Sequence, residues 1–195
     1  MTAGSSCAPS VSTSEVSRTV EVAPERFEIW LERFTANNPD GPQRIESVER
    51  FDHTPVVVVL VRRGGYAVAV VVDGRMVVHK VGSRHVQSRT AAGGWSQQRF
   101  ARRRANQADA LVEAVAEHLA RIMAESPAAP AGVVAGGDKA LVRELLADRR
   151  LASLAALPRR ELFDIPDPGR AVLEEAVRRG RAVRVCMTDG PVSPT

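Results

Sequence analysis

Residues 55–82 hold the feature that most restricts the fold. They read PVVVVLVRR, then YAVAVVVD, then RMVVHKVG, with Gly64-Gly65 and Asp73-Gly74 between the runs. Each run is rich in β-branched residues and has the length of a strand. Asp-Gly is a strong tight-hairpin signal, because both residues tolerate positive φ. The spacing predicts an antiparallel meander. The first two runs are almost wholly apolar and do not alternate, so at least the middle strand should be covered on both faces. Phe, Trp and Tyr make up only 4% of the chain. The cover must therefore come from Val, Leu and Ala.

The flanking segments supply it. In APERFEIWLERFTANNPDGP, the residues Phe27, Trp30, Leu31 and Phe34 recur at helical spacing between Pro24 and an Asn-Pro-Asp-Gly stop. Beyond a Gly/Ser/Thr/Gln loop over 82–97, a long helix is expected to begin near Gln97, with Ser96 as its cap. Its apolar stripe is Ala108, Leu111, Val112, Val115, Leu119 and Ile122. GVVAGG reads as a buried strand and DKALVRELLAD as a helix capped by Asp138. LASLAAL is a short helical piece. DPGRAVLEEAVRRG is a helix with Pro168 near its start and Gly180 just past its end. RAVRVCM is a last strand. Hairpin strands followed by alternating helix and strand predict the α/β class, with one mixed sheet flanked by helices. The expected limits are a disordered Ser/Thr-rich tail over 1–22, one domain over 23–187 and a loose tail over 188–195.

Several function classes find no support. The longest apolar runs are far too short to span a bilayer, and the N-terminus has neither the basic start nor the apolar core of a signal peptide. Cys7 and Cys186 lie at opposite ends, which suits a reducing compartment. A cytoplasmic protein is expected. His53, His79, His85 and His118 show no zinc-like spacing, so no metal is expected. GGDK at 136–139 opens a helix but lacks both phosphate-loop fingerprints, and no Gly-x-Ser-x-Gly elbow occurs.

Charge is more informative. The chain carries a net +4. From Gly74 to Ala108 there is no acidic residue, and the same span holds Arg75, Lys80, Arg84, Arg89, Arg99, Arg102, Arg103 and Arg104. Such sign purity suits a polyanion, and arginine suits phosphate in particular. RNA fits better than duplex DNA, since no recognition-helix arrangement or dimer signal appears.

Within this block lies GGWSQQRFARRR, residues 93–104. Gly93-Gly94 frees the backbone. A helix beginning next to Ser96 and Gln97 aims unpaired amides and a positive dipole end outward. Glutamine does not titrate near neutrality, but it orients water and donates to an oxyanion. That equipment suits hydrolysis of an already activated ester. Trp95 either stacks on a base or anchors the loop.

The run GGWSQQRFARRRANQADAL resembles the catalytic loop and following helix of the middle domain of eukaryotic and archaeal peptide release factors. It is more similar to the release-factor-like peptidyl-tRNA hydrolases of ribosome-associated quality control, in an actinobacterial form. The resemblance extends over roughly residues 24–187 and includes GVVAGGDKALVRELLAD. It implies a release-factor middle-domain-like fold and a peptidyl-tRNA hydrolase of the large ribosomal subunit, working as a monomer without a cofactor. By resemblance, Gln97 is the catalytic glutamine, with Gly93, Gly94 and Ser96 shaping the tip. Arg99, Arg102, Arg103 and Arg104, with Arg84, Arg89 and Lys80, then face rRNA or tRNA phosphate. The family's release factors carry glutamine directly after two glycines. Here the spacing is Gly94-Trp95-Ser96-Gln97, and Gln98 is the alternative glutamine. A non-catalytic RNA-binding factor and a nuclease of the tRNA acceptor end are the competing expectations.

Overall fold

The computed structural model describes residues 16–39, 41, 43–83, 95–126 and 128–189; at 16, 95–101 and 103–105 it describes the backbone alone. The elements run β1 (Val16–Val22), α1 (Phe27–Asn37), β2 (Gln43–Glu49), β3 (Val56–Arg62), β4 (Gly65–Val72) and β5 (Arg75–Ser83). Then come α2 (Trp95–Ala124), β6 (Gly132–Gly137), α3 (Lys139–Leu146), α4 (Ala152–Ala155), β7 (Arg159–Leu162), α5 (Arg170–Arg181) and β8 (Val183–Asp189). The described residues divide into two compact units, one drawn from residues 16–50 and 183–189 and the other from residues 51–182.

The larger unit is a five-stranded sheet in the order β5-β4-β3-β6-β7. β3, β4 and β5 form the expected antiparallel meander, while β6 lies parallel to β3 and β7 parallel to β6. The β4–β5 turn is the Asp73-Gly74 pair, with φ of 47° and 79°. Both signs are positive, as a two-residue hairpin of this kind requires. The α/β class with a mixed sheet and flanking helices is thus observed.

The unalternating apolar strands are explained by cover on both faces. On one face, Val57, Val59 and Val61 of β3 meet Leu111, Val115 and Leu119 of α2, with α3 joining them. On the other, Val56, Val58 and Leu60 meet Leu173, Ala176 and Val177 of α5. Period-2 side chains of a single strand thus feed two cores.

Asp138 caps α3 as expected: its Oδ1 accepts from the backbone N–H groups of Ala140, at 2.9 Å, and Leu141. Gly180 differs from expectation. It lies inside α5, and a Cβ there would meet the Val134 side chain. Close helix–sheet packing, not a helix stop, is what calls for glycine at this position.

The smaller unit is a three-stranded antiparallel sheet, β1-β8-β2, with β8 in the middle. Its core is Val22, Phe27, Val183, Val185 and Met187, with Trp30 and Phe34 packed against it. Trp30 thus acts as core. This sheet corrects both expected tails. The N-terminal strand starts at Val16, inside the stretch 1–22 expected to be disordered, and β8 runs on through Asp189. Each edge is ordered by pairing, Val16 with Asp189 and Gln43 with the same Asp189.

Candidate nucleic-acid interface

The acid-free block Gly74–Ala108 maps onto β5, residues 84–94 and the first half of α2. α2 has 30 residues, which is about 45 Å of helix. Among its described side chains, the apolar stripe that packs against the sheet lies in the second half. Leu111, Val112, Val115, Ala116, Leu119 and Ile122 are buried. Among the described side chains, Ala108 is the first even half-buried, and Arg102, Asn106 and Gln107 are exposed. From Trp95 to Leu111 is about 24 Å along the axis. The packed half therefore carries a long N-terminal half that the described core does not require.

The helix begins at Trp95, two residues before the expected start. Ser96 is consequently the second helical residue and not the cap, and Gln97 is the third. The N–H groups of Trp95, Ser96 and Gln97 sit in the first turn, where a helix supplies no acceptor. Gln98, Arg99, Arg102, Arg103 and Arg104 follow within the next turns. Gly93, Gly94, Arg84 and Arg89 lie outside the described residues. Lys80 is exposed on β5.

Three residues that carry no RNA-binding expectation from the sequence, Tyr66, His118 and Arg121, form a cluster on the same side of the sheet as Lys80. β4 and β5 pair Tyr66 with Gly82, and a Cβ at Gly82 would run into the Tyr66 ring. The ring therefore lies flat across the bare backbone. Its centroid is 5.5 Å from that of His118 on α2, and the two planes are near parallel. One turn on, Arg121 Nη2 donates to His118 Nδ1 at 2.6 Å. A guanidinium has only donors, so Nδ1 accepts and the proton of neutral His118 sits on Nε2. Burial, and then the charges of Arg121 and Lys80, hold the His118 pKa below its ordinary value, with Glu117 opposing. Burial raises the Tyr66 pKa, and Arg121 works against it.

His79, on the opposite side of β5, makes an instructive comparison. It also meets an arginine, Arg170, but that guanidinium is paired with Glu174 at 2.6 Å. Among the described residues Lys80 and Arg121 have no carboxylate within ion-pair distance.

Among the described residues no group of three His, Cys, Asp or Glu side chains converges as a metal site, and no helix is long and apolar enough to cross a membrane. A mixed α/β sheet bearing a long basic helix between its antiparallel and parallel halves is the arrangement that the resemblance to release factors implies. Residues 54–186, well over half of the chain, match the family described as the Actinobacteria/chloroflexi VLRF1 release factor, and the chain belongs to that family. The match takes in β3 through most of β8, and so the whole of α2. No curated protein matches.

Proposed function

We propose that this protein is a cytoplasmic peptidyl-tRNA hydrolase that frees nascent peptides from stalled large ribosomal subunits. The observation that carries the reading is α2: in a chain of a release-factor family, its start brings a glutamine, first-turn amides and a run of arginines to one end of the helix. Gln97, with Gln98 as the alternative, holds a water against the ester carbonyl that joins peptide to terminal ribose. The water oxygen bonds to the carbonyl carbon. The resulting oxyanion takes hydrogen bonds from the Gln97 amide or from the first-turn N–H groups. The oxyanion then re-forms the carbonyl as the bond to the ribose oxygen breaks, and that oxygen takes up the proton that the attacking water gives up. Gly93, Gly94 and Ser96 let the tip pack closely. Arg84, Arg89, Arg99, Arg102, Arg103 and Arg104, with Lys80, dock on rRNA and tRNA phosphates. The chain acts as a monomer and needs no cofactor, because positioning and charge stabilisation suffice for an activated ester.

The test is incubation with a purified stalled large-subunit complex, reading both peptide and tRNA ends. Ester hydrolysis gives free peptide and an intact CCA end. A shortened tRNA end would make the protein an acceptor-end nuclease, and binding with no release would make it a non-catalytic ribosome factor.

A further inference from the structure

Resting on the RNA-binding reading above, we propose that Lys80, His118 and Arg121 form a second phosphate-binding point for the same RNA, remote from the tip. His118 lies 21 residues beyond Gln97 on α2, about 30 Å along the axis. The protein would thus grip the polyanion at two separated places.

The geometry gives this cluster one chemical character. Every polar atom it has to offer is a donor: the Lys80 ammonium, the His118 Nε2–H, and the Arg121 N–H groups not used on Nδ1. Lys80 and Gly82 share a face of β5, two residues apart, so Lys80 stands about 7 Å along the strand from the Tyr66 ring. That ring backs His118. Stacking and the Arg121 hydrogen bond together fix the imidazole, so its donor is oriented before any ligand arrives. Tyr66 stacks on the imidazole, and the charges that act on it are those of Arg121, Lys80 and Glu117, of which Glu117 alone is acidic and is itself exposed. Lys80 and Arg121 are exposed cations that no described carboxylate neutralises. A phosphodiester group offers only acceptors, which match the donors of all three side chains. Isolated surface cations bring charge only; here a buried aromatic platform adds a defined direction.

The experiment measures binding of deacylated tRNA to the full chain across a salt series, comparing wild type with Lys80→Gln/Arg121→Gln. Both positions are exposed, and thermal melting checks that the variant folds. The proposal expects weaker binding and a shallower slope of log K against log salt, by about 0.7 to 0.9 for each phosphate no longer neutralised. It also expects the His118 pKa, followed by NMR, to rise when tRNA binds wild type, because a neighbouring phosphate favours the imidazolium. Wild type that binds tRNA with an unchanged His118 pKa, and a folded variant with an unchanged slope, would overturn the second binding point and leave the tip's function standing. Failure of wild type to bind deacylated tRNA at all would likewise overturn the second binding point, while peptide release from the stalled complex tests the tip separately.

Discussion

Single residues decide several properties that composition hides. Arg160 is 1% exposed on β7. Its Nη1 donates to the carbonyls of Gly180 and Ala182 at the end of α5, and its guanidinium stacks 5.1 Å from the Phe51 centroid. Along the chain, RREL is an unremarkable charged stretch; nothing in it says which arginine turns inward. Arg160→Ala would leave two carbonyls short of a donor and open a void. A loss of at least about 2 kcal/mol is expected, read as a lower denaturant midpoint. A midpoint like wild type would show the staple to be dispensable. Asp148 gives a pH dependence. Hydrogen bonds from Arg150 hold its pKa down at about 2. A carboxylate depressed in the folded state stabilises the fold above its unfolded pKa and loses that contribution as pH falls towards the folded value. Thermal stability should therefore decline between about pH 4 and pH 2, and Asp148→Asn should flatten that part of the profile. An identical profile in the variant would place the acid sensitivity elsewhere. At the same scale, Tyr66, Lys80 and His118 come together only through strand pairing and helix docking. Sequence separation concealed that cluster, although the basic block already contained Lys80.

At the scale of elements, legibility followed local signal strength. The meander was readable because its turns carry their own chemistry, positive φ at Asp73 and Gly74. α3 was readable because Asp138 announces its start. Asp138→Ala should cost about 1 kcal/mol, with a range of roughly 0.5 to 2, in equilibrium unfolding. No measurable loss would mean that tertiary packing alone sets the end of α3. The strands that sequence reading missed lack such signals. β7 has only four residues, with a charged side chain at a buried position. The β2 segment, QRIESVE, holds just Ile45 and Val48 as apolar side chains, and a register shift between Ile45 and Ser47 spoils the alternation. β1 does alternate, but it stands in a Ser/Thr-rich stretch and its partner β8 lies at the other end of the chain. Long-range pairing of this kind leaves almost no local trace.

At the scale of the whole molecule, structural stability and proposed chemistry draw on different parts of the same helix. The second half of α2 is fixed by Leu111, Val115 and Leu119 in the core. The first half carries the arginine run and the glutamines, and Arg102, Asn106 and Gln107 there are exposed. Substitutions at the helix start are therefore expected to leave folding intact while altering activity. The candidate residues there stand out in the sequence as a charge block and a motif, and their role is the proposal made above. The catalytic role proposed for them rests on an amide that neither titrates nor binds metal, acting on an ester that is already reactive.

The most direct measurement compares wild type with Gln97→Ala for peptide release from a stalled large-subunit complex, alongside binding to the same complex. The account predicts unchanged binding and melting, with release slowed by about 100-fold or more, as for a lost oxyanion donor. Release at the wild-type rate from the bound, folded variant would contradict it.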